Sequence, residues 1–299
     1  MEKVCILMST YNGEKYLKEQ IESLLQQENI EVDIFIRDDG STDNTLNILE
    51  DYTQKYKNIR YYTGENLRSA KSFMNLLFTV KEYEYYAFSD QDDVWKKNKL
   101  CTAVSKLKEG YDLYGGKKSI VDSELNILNI EDEIPVSLEL GSVILRCRVA
   151  GCTMVFTKNL REKLLKYNPI VLSMHDSWVL KVAVSVGKVF FDNNKYILYR
   201  QHDNNVVGAR KNFLGQLKRR LLNLKKRREQ SFVRISMAKE LYSNYNNYLS
   251  NKDSRNLYYF TNYKEHFIYR IKLFVNNFIQ GDNLIDTFII KILILLGLF

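Results

Sequence analysis

Three carboxylates, Asp90, Asp92 and Asp93, fall within four positions directly after the aromatic run 83–88. Acids this close repel one another unless a positive charge lies between them, and Mg²⁺ or Mn²⁺ prefers such oxygen ligands. An apolar run that empties into acids reads as a buried strand with a site at its carboxyl end, the edge where open α/β sheets bind ligands. By itself the cluster is equally consistent with a solvated acidic turn.

Four further polar clusters could do chemistry: Thr10-Tyr11-Asn12-Gly13, Arg37-Asp38-Asp39-Gly40-Ser41, His175-Asp176-Ser177-Trp178 and Arg200-Gln201-His202-Asp203-Asn204-Asn205. Tyr11 offers a ring against which a nucleobase could pack, and Asp39 an acceptor for an imide N–H; a plain turn with a helix cap explains both as well. Neither G-x-x-x-x-G-K-[ST] nor G-x-G-x-x-G occurs, so the common phosphate-cradling loops are missing. A sheet protein without them can hold a diphosphate through a metal, and Asp90-Gln91-Asp92 is suited to that.

The elements that must position these residues alternate. Apolar runs 3–9, 32–36, 59–62 and 83–88 read as strands. Helical spacing follows the first, second and third: Leu17, Ile21 and Leu24; then Leu46, Ile48 and Leu49, capped by Ser41 or Thr42; then 70–80. This pattern predicts a mainly parallel sheet covered on both faces, which brings Thr10-Tyr11, Asp38-Asp39 and the acid cluster to one edge. Beyond it the spacing predicts a helix over 95–107, strands over 112–121 and 148–156, a helix over 159–167, an apolar helix over 179–186 and a strand over 196–199. Residues 131–141 carry no strong pattern.

The net charge of +8 is uneven: from Gly208 onward there are 17 Lys/Arg against 6 Asp/Glu, and before it 27 against 30. A slightly acidic body, 1–207, thus carries a basic region, 208–299, and the expected boundary is near Val207. Phe213, Leu214, Leu217, Leu221 and Leu224 share one helical face among nine basic residues and one acid in 208–230, which suits an anionic membrane surface. The last apolar stretch, 284–299, is shorter than the ~20 residues that span a bilayer. Nucleic acid is disfavoured as a partner, because the body is net acidic and lacks interleaved aromatic and basic residues. Four cysteines without C-x-x-C spacing read as reduced thiols in a cytosolic setting, and the first twelve residues do not read as a signal peptide.

Taken in order, Thr10-Tyr11-Asn12-Gly13, Arg37 to Asp43, Ser89 to Trp95, His175-Asp176-x-Trp178 and Tyr199 to Asn205 resemble the motifs of family 2 glycosyltransferases, in particular a bacterial rhamnosyltransferase-like branch acting on polysaccharides. The resemblance spans residues 3–208. It implies a GT-A type α/β fold, a nucleotide-diphosphate sugar donor, Mn²⁺ or Mg²⁺, and inversion at the anomeric carbon. It implies that Tyr11 and Asp39, with Thr10 adjoining, contact the base, that Asp90 lies near the ribose and diphosphate, and that Asp92 binds the metal. It also implies that Asp176 is the base deprotonating the acceptor, and that His202 lies near the metal or diphosphate. At the start of a helix, Asp176 would be favoured in its charged form by the helix dipole. Two positions depart from the family's pattern: Asp203 and Leu67 stand where glycine is common. The expected reaction is transfer of a sugar, L-rhamnose from dTDP-rhamnose foremost and a UDP-hexose otherwise, to a lipid-linked glycan or polysaccharide at the inner face of the membrane. The competing reading is a non-catalytic membrane or nucleic-acid adaptor.

Overall fold

The computed structural model describes residues 1–128, 135–201 and 224–299. The first half alternates β1 (Glu2–Thr10), α1 (Leu17–Leu25), β2 (Ile30–Asp38), α2 (Thr45–Lys55), β3 (Ile59–Thr63), α3 (Arg68–Thr79) and β4 (Tyr85–Ser89). Val4 to Met8 on β1 are all fully buried, as an unbroken apolar run in a sheet covered on both faces must be. The helices bury matching stripes: α1 turns Leu17, Ile21 and Leu24 inward, and α3 buries Phe73, Met74, Leu76 and Leu77.

The second half contains β5 (Val94–Trp95), α4 (Lys99–Lys108), β6 (Leu113–Val121), α5 (Leu140–Leu145), β7 (Val155–Thr157), α6 (Lys158–Leu164), α7 (His175–Val186) and β8 (Val189–Arg200). The described strands form one sheet in the order β3-β2-β1-β4-β7-β6-β8-β5. The sheet is mixed and mostly parallel: β3, β2, β1 and β4 run together, as do β6 and β8, whereas β7 is antiparallel to both its neighbours and β5 to β8. Register explains why the motifs meet. Thr10 pairs with Asp38 and Met8 with Ser89, so the loops after β1, β2 and β4 all leave the same edge.

Several elements differ from the sequence expectation. The expected strand 148–156 is only β7, preceded by a 3₁₀ turn at Gly151–Thr153. Here the backbone runs so close to α7 that a Cβ on Gly151 would sit 2.4 Å from His175 Nε2. The helix expected from Trp95 starts at Lys99, because Val94 and Trp95 pair with Leu198 and Ile197. Helix α7 opens at His175, a turn earlier than its apolar run suggests. The cap expected at Ser41 or Thr42 is not there: the N-cap position is Asn44, without a side-chain cap bond, Asp43 Oδ1 before it accepts the Thr45 N–H at 3.0 Å, and the Ser41 hydroxyl donates to Asp38 Oδ1 at 2.5 Å.

Helices α8 (Leu224–Tyr245), α9 (Asn251–Asn262), α10 (Phe267–Val275) and α11 (Leu284–Leu295) complete the chain. Met237, Leu241, Tyr245, Phe260 and Ile294 belong to the same buried cluster as Leu140, Phe88 and Trp178. A second cluster fills the opposite sheet face beneath α1, α2 and α4. The helical C-terminal region thus shares a core with the sheet. The expected boundary near Val207 and the apolar face 213–224 lie outside the described residues. No described helix is long and apolar enough to cross a membrane.

Candidate active site

The loops after β1 and β2 are fastened to each other. Asn12, at φ 48°, donates its N–H to Ser41 Oγ (2.8 Å) and accepts the Thr42 N–H on Oδ1 (2.9 Å). Gly13 N–H donates to Thr45 Oγ1 (2.8 Å) and Asn44 N–H to Glu14 Oε2 (2.8 Å). Gln91, from the acid turn, accepts the Tyr11 N–H (2.8 Å) and donates to the Tyr11 carbonyl (3.1 Å). Held at its backbone on both sides, Tyr11 leaves its side chain exposed. Thr10 is buried, and its hydroxyl donates to Asp38 Oδ1 at 3.1 Å. Asp39 is buried in an ion pair with Arg37 Nη1, which also donates to Ser72 Oγ, while Nη2 donates to the Glu65 carbonyl. Asp39 is therefore fixed by a charge that the motif carries two residues earlier.

The acid turn after β4 is braced from the far side of the sheet. Arg200, at the end of β8, donates its backbone N–H to Asp93 Oδ1 (3.1 Å) and Nε–H to the Asp92 carbonyl (2.9 Å). Its guanidinium also bonds the Ser123 carbonyl and Glu19, and lies 4.3 Å from the Tyr16 ring centroid. Asp93 is fully buried, and its Oδ2 has no hydrogen-bond partner among the described residues. Burial and the Asp92 charge push the Asp90 carboxyl up to about 7, and burial with the Asp90 and Asp92 charges raises Asp93 well above the carboxylate range. Lys118, on β6, opposes both shifts and packs its ammonium 3.3 Å from the Tyr199 ring centroid.

Asp176 enters from α7. It lies in the helix's first turn, half-buried, and accepts the Gly151 N–H on Oδ2 at 3.2 Å. Its charge raises Asp90, so the two carboxylates lie near enough to act on one another. Burial raises the Asp176 carboxyl more than the Ser177 and Gly151 backbone N–H groups and Lys181 lower it. The helix start is where the motif predicts it, but desolvation outweighs the dipole, and the net effect opposes the expected preference for the charged form. His175 is buried against Phe73 and Phe88, with ring centroids 4.0 and 4.8 Å away. Burial pulls it down to about 3, so the imidazole is neutral. Trp178 is core, fully buried beside Tyr167 and Tyr245.

Asp90, Asp93 and Cys152 bring three potential ligand atoms within 4.8 Å of one another. Burial holds the Cys152 thiol protonated, and hard cations prefer oxygen, so the carboxylates are the donors that fit Mg²⁺ or Mn²⁺. The orphaned Asp93 oxygen and the raised carboxyls are groups that a cation would suit. Asp92, the expected ligand, follows on the same turn, and its charge acts on both Asp90 and Asp93. His202 lies outside the described residues. Sequence reading overlooked four residues here: Arg200, Lys118, Cys152 and Lys99. Lys99 is buried, with Nζ 3.1 Å from the Trp95 ring centroid and close enough to Asp93 to feel its charge. Only Arg200 left a signal, since it sits inside the quoted motif before His202.

Comparison with known proteins bears on the family and the fold. The family model described as glycosyl transferase family 2 matches residues 5–164. A dTDP-rhamnosyl transferase, RfbG of Shigella flexneri, is 31% identical over 237 residues, which are 71% of this chain and 77% of that protein. The WfaP protein of Escherichia coli, a UDP-Glc:α-D-GlcNAc-diphosphoundecaprenol β-1,3-glucosyltransferase, is 24% identical over 53% of this chain and 62% of its own. Among solved structures, Staphylococcus aureus TarS 1-349 in complex with UDP-GlcNAc matches the fold with a TM-score of 0.62 at 20% identity, covering 92% of this chain and 76% of that one. The sheet is GT-A-like, and with the family match covering more than half its length the chain belongs to glycosyl transferase family 2.

Proposed function

We propose that this glycosyltransferase transfers L-rhamnose from dTDP-rhamnose, with inversion, to a lipid-linked glycan or cell-surface polysaccharide. The observation that supports the reading is the gathering of the loops after β1, β2 and β4 at one sheet edge, with Asp176 near enough to the acid turn for its charge to act on Asp90. The rhamnosyl transferase relative supports the donor. The glucosyltransferase relative, which by its name takes UDP-Glc and a diphosphoundecaprenol-linked sugar, supports a lipid-linked acceptor and gives a UDP-hexose as the second reading of the donor. In the proposed reaction Asp176 accepts the proton of the acceptor hydroxyl as that oxygen attacks the anomeric carbon. The new C–O bond forms opposite the one to the departing diphosphate, so configuration inverts. Tyr11 packs on the base, Asp39 accepts its imide N–H with Thr10 holding the loop, and Asp90 lies by the ribose and diphosphate. A divalent cation, Mn²⁺ or Mg²⁺, held by Asp92 with Asp90 and Asp93 and approached by His202, would neutralise charge on the leaving diphosphate. Work at the cytoplasmic face as a peripheral protein is supported by the 17 basic against 6 acidic residues from Gly208 onward.

Purified full-length chain with Mn²⁺ is offered dTDP-rhamnose, UDP-glucose and UDP-GlcNAc, with a polyprenyl-diphosphate-linked sugar as acceptor. Release of dTDP and a rhamnosylated product are expected; turnover with a UDP-sugar alone replaces the donor, and no turnover with any donor sinks the enzymatic reading. Asp176→Asn should lose about 10²-fold or more in kcat while still binding the nucleotide.

A further inference from the structure

The exposed apolar side chains of this protein are not scattered. Of seventeen exposed large apolar residues among the described residues, ten lie between Phe267 and Leu298. Phe267, Ile271 and Val275 follow i, i+4, i+8 along α10; Leu284 with Phe288, and Ile285 with Ile289, follow i, i+4 along α11. The two helices pack against each other, and their other faces bury Leu273, Ile290 and Ile294 in the shared core. What remains outside is an apolar surface on a helical hairpin that no described residue covers.

Charge says what covers it. The acids of the hairpin are turned inward: Asp282 and Asp286 pair with Arg146, and Asp282 also with Arg148. The bases stay near the surface, with Lys272 exposed on α10 and Lys291 part-exposed on α11. A second copy of the chain, or this chain's own basic stretch 208–223, would set like charges together on such a face. An anionic lipid surface would not. With 9 and 12 residues, helices of about 14 and 18 Å are too short to cross a ~30 Å hydrocarbon layer and would lie in its plane, with the exposed Lys272 reaching the headgroups.

We infer that the outer face of the α10–α11 hairpin is a docking surface for an anionic phospholipid bilayer. The hairpin is tied to the catalytic side: Arg146 and Arg148, its ion-pair partners, lie three to five residues before Gly151, whose N–H binds Asp176. A docked hairpin would therefore hold the acceptor side of the site towards the membrane. Only that last step rests on the proposed function; docking does not.

Flotation of the full-length protein with phosphatidylcholine vesicles, with and without phosphatidylglycerol, tests this. Binding is expected with phosphatidylglycerol and weak without it. The exposed double variant Ile285→Ser/Phe288→Ser should bind at least ten-fold more weakly with an unchanged unfolding midpoint, and Lys272→Gln about five-fold more weakly. Equal binding by the double variant overturns the inference and assigns attachment to another part of the chain. A wild-type dimer that the double variant converts to monomer overturns it in favour of a second copy. Donor hydrolysis in the absence of vesicles is measured alongside. Lost docking with hydrolysis intact sinks this inference alone; lost hydrolysis with docking intact sinks the enzymatic reading alone.

Discussion

His175 and Asp176 are adjacent in sequence and opposite in use. Asp176 stays half-buried at the head of α7 with one oxygen on a backbone N–H, whereas His175 turns into the core between Phe73 and Phe88. Neither imidazole nitrogen has a hydrogen-bond partner among the described residues, so protonation there would bury an uncompensated charge. The consequence for stability has a definite sign. The folded pKa of about 3 lies below an unfolded value near 6.5, so between those limits the unfolded chain binds a proton that the folded chain does not. The contribution is fully present above about pH 6.5 and falls by about 1.4 kcal/mol per unit as the pH drops below it. Against His175→Phe, urea unfolding at pH 7.5, 6.5 and 5.5 should show the wild type losing more stability across the lower interval; parallel losses would contradict a buried neutral histidine. The motif made both residues visible, but the role of His175 depends on rings from α3 and β4 that no local pattern connects to it. Asp39 is similar: its type and place were legible, its pairing with Arg37 and the Arg37 link to Ser72 were not.

Between elements, the strand ends carry the argument that the acids form a site. Residue patterns were enough to find β1 to β4 and the edge they share, because buried parallel strands are unbroken apolar runs and their helices have regular stripes. The second half was less legible for physical reasons. β8 passes through Asn193, Asn194 and Lys195, which no strand pattern would include, and its pairing with β6 shifts register beyond Gly116 and again beyond Lys117. β7 is three residues long and β5 two, and such pieces have no periodicity to read. Yet β8 delivers Arg200, whose one side chain fastens the acid turn to α1 and to the loop after β6. Replacing it with methionine keeps much of the apolar stem but strands the Asp92 and Ser123 carbonyls, and costs about 2–4 kcal/mol by the usual penalty for losing several buried hydrogen bonds. Arg200→Lys, with one ammonium in place of a fork, should recover only part of that. Urea midpoints measure the cost. The Mn²⁺ concentration for half-maximal transfer should rise in both variants, since the turn that would hold the metal loses its brace, and an unchanged metal requirement would count against that role.

At the scale of the whole chain, the shift in charge after Val207 looks like the start of an appendage, but charge records what a surface meets and not where a core ends. The described helices of that region expose Lys239, Lys252, Arg255 and Lys272 and put Tyr245, Phe260, Tyr263 and Ile294 into the cluster that also holds Trp178 and Phe88. Trp178 packs edge-on to Tyr245 at 6.0 Å between ring centroids, so removing α8 would open a cavity beside α7, the helix that bears Asp176. Ion pairs from Arg146 and Arg148 to Asp282 and Asp286 close the same junction. Unfolding the C-terminal helices separately would expose that apolar surface and strand those arginines, whereas an independent appendage would leave the sheet intact. The two tryptophans distinguish these cases, because Trp95 belongs to the cluster under α1, α2 and α4, and Trp178 to the one shared with the C-terminal helices. In urea, Trp178→Phe reports through Trp95 and Trp95→Phe through Trp178, and each variant is compared with its own far-ultraviolet circular dichroism. Coincident fluorescence and dichroism midpoints within each variant are expected, as for one cooperative unit. A Trp178 signal that changes at lower urea than the dichroism of the same variant would mean that the C-terminal helices leave first, and that the active-site sheet stands without them.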